Sequence, residues 1–267
     1  MTGRRSLSDV AGSAGVLQGK RVLVTRAREQ ADDLVHRLVA LGAVPIVFPT
    51  IQIVPPADGY AALDAALRNL STFDWVVFTS VNGVVHVCDR LSALGLDMGI
   101  FAAVRLATIG PATAEALAAR GAQSDVTPER YIAEALLDAI PHVAGKRFLL
   151  ARADLARDRL RTGLQEAGAE VVDVHAYRTV GASPDADAQA ALDNGVDLLT
   201  FTSSSTVRHF VAQIGYARAQ ALCEQGRVVV IGPITAQTVQ EFGLRVDAVA
   251  STYTISGLVE ALIEACR

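Results

Sequence analysis

Gly19-Lys20-Arg21-Val22-Leu23-Val24-Thr25-Arg26-Ala27 and Gly145-Lys146-Arg147-Phe148-Leu149-Leu150-Ala151-Arg152-Ala153 are two versions of one segment. Each is a short apolar run entered through Gly-Lys-Arg and left through Arg-Ala, the pattern of a buried strand. Other segments also recur in the same order: Phe78-Thr79-Ser80 as Phe201-Thr202-Ser203, and Ile109-Gly110-Pro111-Ala112-Thr113-Ala114 as Ile231-Gly232-Pro233-Ile234-Thr235-Ala236. Tyr131 lines up with Tyr253. The offset drifts only from 126 to 122 residues, so the chain is a duplicated module with shorter loops in its second copy. Two like modules in one chain commonly face each other across a cleft, which makes a ligand site between them the default expectation.

Working outward, the first copy reads as strands at Arg21–Thr25, Val44–Phe48, Trp75–Thr79 and Arg105–Ile109. Leu34, Leu38 and Leu41 recur at helical spacing before Gly42, and Pro111 opens a helix that Gly121 closes. The second copy reads as strands at 147–151, 171–175, 198–202 and 227–231, with helices at about 155–167, 204–214, 233–242 and 254–265. Strands apolar along most of their length, alternating with helices, predict parallel sheets covered on both faces. About five strands per copy is the size of a flavodoxin-like unit.

Composition sets the outer limits. The chain has 267 residues, 51% hydrophobic and 19% charged, enough for two ordinary cores. A net charge of −4 argues against a sequence-independent nucleic-acid binder but leaves room for local arginines that grip a small acid. Cys88, Cys223 and Cys266 are widely spaced and odd in number, which suits reduced cysteines in a cytoplasmic protein. Residues 1–18, rich in Ser, Gly and Ala, read as a loose extension without signal-peptide character, and no run has membrane-spanning length. His36, His86, His142, His175 and His209 lack metal-ligand spacing and read as helix-surface or loop residues. No dinucleotide, P-loop or nucleophile-elbow motif is present.

Chemistry is expected where strands hand over to helices. Ser80-Val81-Asn82-Gly83, Ser203-Ser204, Gly110-Pro111-Ala112-Thr113 and Gly232-Pro233-Ile234-Thr235 all stand at such corners. There, free backbone N–H groups and the helix dipole suit carboxylate or phosphate oxygens. The same Ser and Thr residues also suit plain helix caps. Arg26 and Arg152 leave the first strand of each copy, placed either to fork onto a ligand carboxylate or to pair with a nearby acid. Arg157, Arg159 and Arg161 read as a solvated helix face. Tyr177 follows a strand in Ala176-Tyr177-Arg178-Thr179, where it lines a cleft or packs a linker.

Together these signatures, closing with Tyr253-Thr254-Ile255-Ser256-Gly257-Leu258, resemble the uroporphyrinogen-III synthase family from about Gly19 to the C-terminus. The resemblance implies two flavodoxin-like domains joined by a two-stranded connector. Strand-helix-strand units are exchanged between the repeats, giving 1–50 with 180–267 as one domain, 54–173 as the other, and 51–53 with 174–179 as the connector. It implies a cytoplasmic monomer without a cofactor that closes hydroxymethylbilane to uroporphyrinogen III, inverting the last pyrrole ring and releasing water. Transient contact with hydroxymethylbilane synthase belongs to the same picture; nucleic acid and membrane do not. By resemblance, Tyr177 and Thr113 are the catalytic candidates. Arg26, Ser80, Asn82, Gly83, Arg152, Ser203, Ser204, Gly232, Thr235 and Tyr253 are the substrate-binding candidates. The rivals are a non-catalytic two-domain binder of small acids and a tandem pair of flavodoxin-like regulatory modules.

Overall fold

A computed structural model describes residues 15–154 and 158–267. Its strands are β1 (Arg21–Val24), β2 (Val44–Val47), β3 (Ile51–Val54), β4 (Trp75–Phe78), β5 (Arg105–Thr108), β6 (Arg147–Ala153), β7 (Glu170–Gly181), β8 (Leu198–Phe201), β9 (Arg227–Val230) and β10 (Ala248–Val249). They form two five-stranded sheets, ordered β10-β9-β8-β1-β2 and β3-β7-β6-β4-β5. The chain divides into two compact units, the described residues up to Gln52 with Val180–Arg267, and Ile53–Thr179.

The strand order explains why these units do not follow the repeat. Within the first unit, β2-β1-β8-β9-β10 is the flavodoxin order 2-1-3-4-5, all parallel where registers are defined. In the second, β7-β6-β4-β5 continues through a parallel bridge from Ala107 to Val126, the same order with the strands of the first two positions arriving last in the chain. Each unit therefore takes β1–β2 or its equivalent β6–β7 from one repeat and the remaining strands from the other.

Hydrogen bonds at the strand entrances hold that exchange. Asp197, from the second repeat, accepts the Arg21 N–H at 2.8 Å and stands 3.6 Å from the Lys20 ammonium. In the other unit Asp74, from the first repeat, accepts the Arg147 N–H at 2.8 Å and the Lys146 ammonium at 2.8 Å. The duplicated Gly-Lys-Arg thus docks on an aspartate of the opposite repeat in both units. Lys146 and the Arg147 N–H hold the Asp74 carboxyl below its ordinary range.

Both sheets are covered on both faces. In the first unit, Leu23, Phe48, Phe201 and Phe210 pack on one side, and Leu17, Val22, Val24, Leu34 and Leu262 on the other. The second unit sets Phe78, Leu91 and Leu149 against Trp75, Phe148 and Leu164 across its sheet. Leu17 is fully buried and Gly19 donates to the Gly42 carbonyl at 2.8 Å. This corrects the expectation of a loose extension for residues 15–18, because an apolar anchor at Leu17 is removed from water by the helix Asp32–Ala40. The rest of that expected extension, residues 1–14, lies outside the described residues, as does Arg157. Cys88, Cys223 and Cys266 are free. Among the described residues no helix is long and apolar enough to cross a membrane.

Candidate active site

The second unit gathers its polar residues at the carboxyl end of β4. Ser80 caps the helix Val81–Ala93, its Oγ accepting the Gly83 N–H at 3.0 Å. The same Oγ lies 3.0 Å from the Tyr177 hydroxyl, so cap and tyrosine share one oxygen. Tyr177 reaches it through an irregularity in β7. His175 pairs with Arg152, but Tyr177 rather than Ala176 pairs with the next residue, Ala153. One extra residue there reverses the alternation, so Val174, Ala176 and Tyr177 all face the same core. Without the bulge a residue following Ala176 would point to the opposite face.

Burial pushes the Tyr177 phenol above its ordinary pKa, opposed by hydrogen bonds with Ser80 and Asn82 and reinforced by the Asp154 carboxylate. Tyr177 therefore keeps its proton at neutral pH and can donate it. The His86 imidazole stacks on its ring, centroids 5.3 Å apart and planes inclined by 18°. The Tyr60 hydroxyl lies 3.3 Å from His86 Nδ1, and the Arg90 guanidinium sits 5.0 Å from the Tyr60 ring centre. Arg90 is itself clamped by Asp64 through bonds of 2.5 and 2.6 Å.

His86 is thus no surface or loop histidine; it is half-buried against the tyrosine that the sequence singles out. A signal for it exists in the chain: Asn82, His86 and Arg90 recur every four residues, one polar stripe down a helix otherwise packed through Val84, Val87 and Leu91.

Thr113 occupies the neighbouring corner, after β5. It is buried as the third residue of the helix Pro111–Ala119. Gly110, before that helix, has extended backbone, so its lack of a side chain serves packing: a Cβ there would stand 3.2 Å from the Tyr131 ring. The first unit repeats this device, with a Cβ on Gly232 placed 3.3 Å from the Tyr253 ring. The alignment of Tyr131 with Tyr253 is therefore a repeated contact between a tyrosine and a bare backbone.

In the first unit Ser203 caps the helix Ser204–Ile214, and its Oγ exchanges a hydrogen bond with Ser205 at 2.9 Å. Ser204 Oγ lies 2.7 Å from the Thr238 hydroxyl, and Thr235 is buried. Arg26 follows β1, half-buried, with its Nε lacking a hydrogen-bond partner and its Nη2 3.5 Å from Gln30 Oε1. Burial lowers its pKa, opposed by Asp33.

Two expected ligand contacts take other roles. Arg152 is buried and grips Asp173 with two nitrogens, Nε at 2.8 Å, while its Nη2 also reaches Asp158 at 3.1 Å. Its charge is matched by these aspartates, the second of the alternatives open to it. Gly83 spends its N–H on Ser80, and a Cβ there would come within 2.9 Å of the Ala151 carbonyl oxygen. It is glycine because helix and sheet approach closely.

These features define an α/β protein of two strand-exchanged flavodoxin-like units, with polar corners at the carboxyl ends of the strands and a protonated, hydrogen-bonded tyrosine beside one of them. The family model described as uroporphyrinogen-III synthase HemD matches residues 32–260. Uroporphyrinogen-III synthase of Synechococcus elongatus is 37% identical over 263 residues, covering 94% of this chain and 97% of that protein. Porphyrin biosynthesis protein HemD of Ruminiclostridium josui is 31% identical over 252 residues, and this chain spans 49% of its length. A crystal structure of a mutant uroporphyrinogen III synthase from Thermus thermophilus shares the fold, with a TM-score of 0.64 at 24% identity over 92% of this chain and 98% of that one. The chain belongs to the uroporphyrinogen-III synthase HemD family.

Proposed function

We propose that this protein closes hydroxymethylbilane into uroporphyrinogen III, inverting the last pyrrole ring and releasing water. It does so in the cytoplasm as a monomer without a cofactor, with transient contact to hydroxymethylbilane synthase. The observation carrying the mechanism is the Tyr177 phenol held at 3.0 Å from the Ser80 cap in a member of this family.

In the reaction as the family resemblance implies it, the hydroxymethyl C–O bond breaks and the pyrrole nitrogen lone pair moves in, giving an azafulvene cation. The leaving hydroxyl takes a proton to depart as water. Tyr177 is the proposed donor, and the ring proton released when the macrocycle re-aromatises restores it. Such proton transfer contributes a factor of about 10²–10⁴. Thr113 is the proposed hydroxyl partner of the substrate on the next corner. The carboxylates of the substrate find the backbone N–H groups at Ser80 and Gly232, together with the side chains of Asn82, Ser203, Ser204, Thr235 and Arg26. Val81, Ile234 and Tyr253, exposed large apolar residues at these corners, suit pyrrole faces. Much of the remaining work is holding a folded conformer, since free hydroxymethylbilane closes without inversion.

Freshly generated hydroxymethylbilane incubated with the protein, then oxidised and resolved by chromatography, should give type III porphyrin. Type I alone would reject the proposal and favour the non-catalytic acid binder.

A further inference from the structure

We propose that His86 is a positioning residue for Tyr177, a flat ring that fixes the direction in which the phenol points. This rests on Tyr177 being the proton donor. A phenol on a strand has two soft torsions, and a hydroxyl shared with Ser80 and Asn82 constrains only the far end of the ring. The stack with His86, 18° from parallel, constrains the plane itself.

His86 is held in turn from two sides. Its backbone belongs to the helix that Ser80 caps, nearly two turns from the cap. Its Nδ1 meets the Tyr60 hydroxyl, so with that hydroxyl donating, the ring proton stands on Nε2. Tyr60 supplies an independent sign that the arrangement is imposed. Its φ is +74°, a left-handed conformation that aromatic residues seldom adopt, and such strain persists where the surroundings over-determine it. The surroundings here are Arg90 over the Tyr60 ring and the two bonds from Arg90 to Asp64. A chain of contacts therefore runs Asp64, Arg90, Tyr60, His86, Tyr177, Ser80. The charged groups near His86 are Asp89 on its own helix and Arg90, which Asp64 neutralises. Burial depresses the His86 pKa, opposed by Asp89, so the ring facing Tyr177 is neutral at pH 7.

The test is steady-state kinetics on freshly generated hydroxymethylbilane with His86→Ala, His86→Phe, Tyr177→Phe and the double variant His86→Ala/Tyr177→Phe. Misplacing the donor without touching substrate binding should lower kcat by about tenfold or more in His86→Ala, keep KM within about threefold, and raise the share of type I product. Phe restores the flat ring and should return kcat to within about threefold of the starting protein. Because His86 acts through the Tyr177 hydroxyl, the alanine change should add nothing in the Tyr177→Phe background. Undiminished kcat in His86→Ala, or an equal slowing of the parent and of Tyr177→Phe, overturns the proposal. If Tyr177→Phe alone turns over like the parent, the donor assignment fails and the proposal falls with it. A slow Tyr177→Phe beside a fully active His86→Ala removes the positioning role and leaves the donor standing. Should His86→Ala not fold, His86→Leu, which fills the space without a flat ring, is held to the same outcomes.

Discussion

Arg26 and Arg152 hold equivalent places in the two repeats, and the structure predicts opposite consequences for removing them. Arg152 is 5% exposed and bonded through two nitrogens to Asp173, whose side chain is itself only 20% exposed. Arg152→Met takes the two-nitrogen partner from that carboxylate in a poorly solvated place and leaves it only Arg161, whose Nε stands 3.8 Å away. Breaking a buried pair from one side costs about 3–5 kcal/mol, and the solvent contact of Asp173 together with its remaining neighbour Arg161 brings the expectation to the lower end, about 3 kcal/mol. For a unit of this size that is a fall of about 10 °C in Tm. Arg26 offers the reverse case. Among the described residues no carboxylate pairs with it, its Nε is unbonded, and burial already disfavours its charge. Arg26→Met should leave Tm within about 2 °C, since a desolvated cation is exchanged for an apolar side chain of similar length. If Arg26 donates to a substrate carboxylate, losing one charge-assisted bond raises KM about tenfold. Thermal melts and steady-state kinetics on both variants decide the matter. A stable Arg152→Met with raised KM, or an Arg26→Met that melts early with unchanged KM, would refute the assignment of the two arginines.

Tyr177→Phe, which keeps the ring and removes the proton, should slow type III formation about 10²-fold with little change in Tm, as measured by porphyrin chromatography and thermal melts. Gly110→Ala places a methyl 3.2 Å from Tyr131 and should destabilise by about 1 kcal/mol, measured by urea unfolding. Combining it with Tyr131→Ala should remove most of that loss. Burial pushes the Cys223 thiol to about 12, so iodoacetamide at pH 8 should label it only after unfolding, as read by peptide mass analysis. Since the folded pKa of His86 lies below its ordinary 6.5, the unfolded chain binds its proton first as pH falls. Its contribution to stability is complete above 6.5 and is lost below it, down through the folded pKa. Urea midpoints of His86→Phe should therefore fall less between pH 7 and 5 than those of the parent.

Most of the secondary structure was legible because the central strands pair in parallel and are covered on both faces. A strand such as Leu198–Phe201 is uniformly buried and announces itself as an apolar run between a polar entrance and a Ser-capped helix. The helix Ser204–Ile214 falls where its capping serine and periodicity put it. What local pattern does not carry is pairing. Nothing in Gly19–Ala27 says that its strand lies beside Leu198 and its neighbours rather than beside Trp75, because both candidates are equally apolar and both are preceded by the aspartate that the Gly-Lys-Arg entrance requires. The exchange of β1–β2 for β6–β7 was therefore an implication of the family resemblance rather than of the residues.

The site divides along the same line. Caps are local, so Ser80 and Ser203 could be named from three or four residues of context. Arg152 could not be decided, since its partner Asp173 lies on a neighbouring strand 21 residues away. Tyr177 and His86 meet only because a one-residue irregularity in β7 turns a tyrosine inward against a helix that began nearly a hundred residues earlier. A strict period-two reading of Val174-His175-Ala176-Tyr177 sends Tyr177 to the face opposite Ala176, away from Ser80. The bulge sets the phenol on the Ser80 side of the sheet, and deleting Ala176 would place Tyr177 directly after His175, on the Val174 face, so type III formation should survive that deletion. Limited proteolysis that leaves residues 184–267 intact, alongside activity well above that of Tyr177→Phe, is the expected result. A folded deletion as slow as Tyr177→Phe would show that strand alternation does not set the direction of Tyr177.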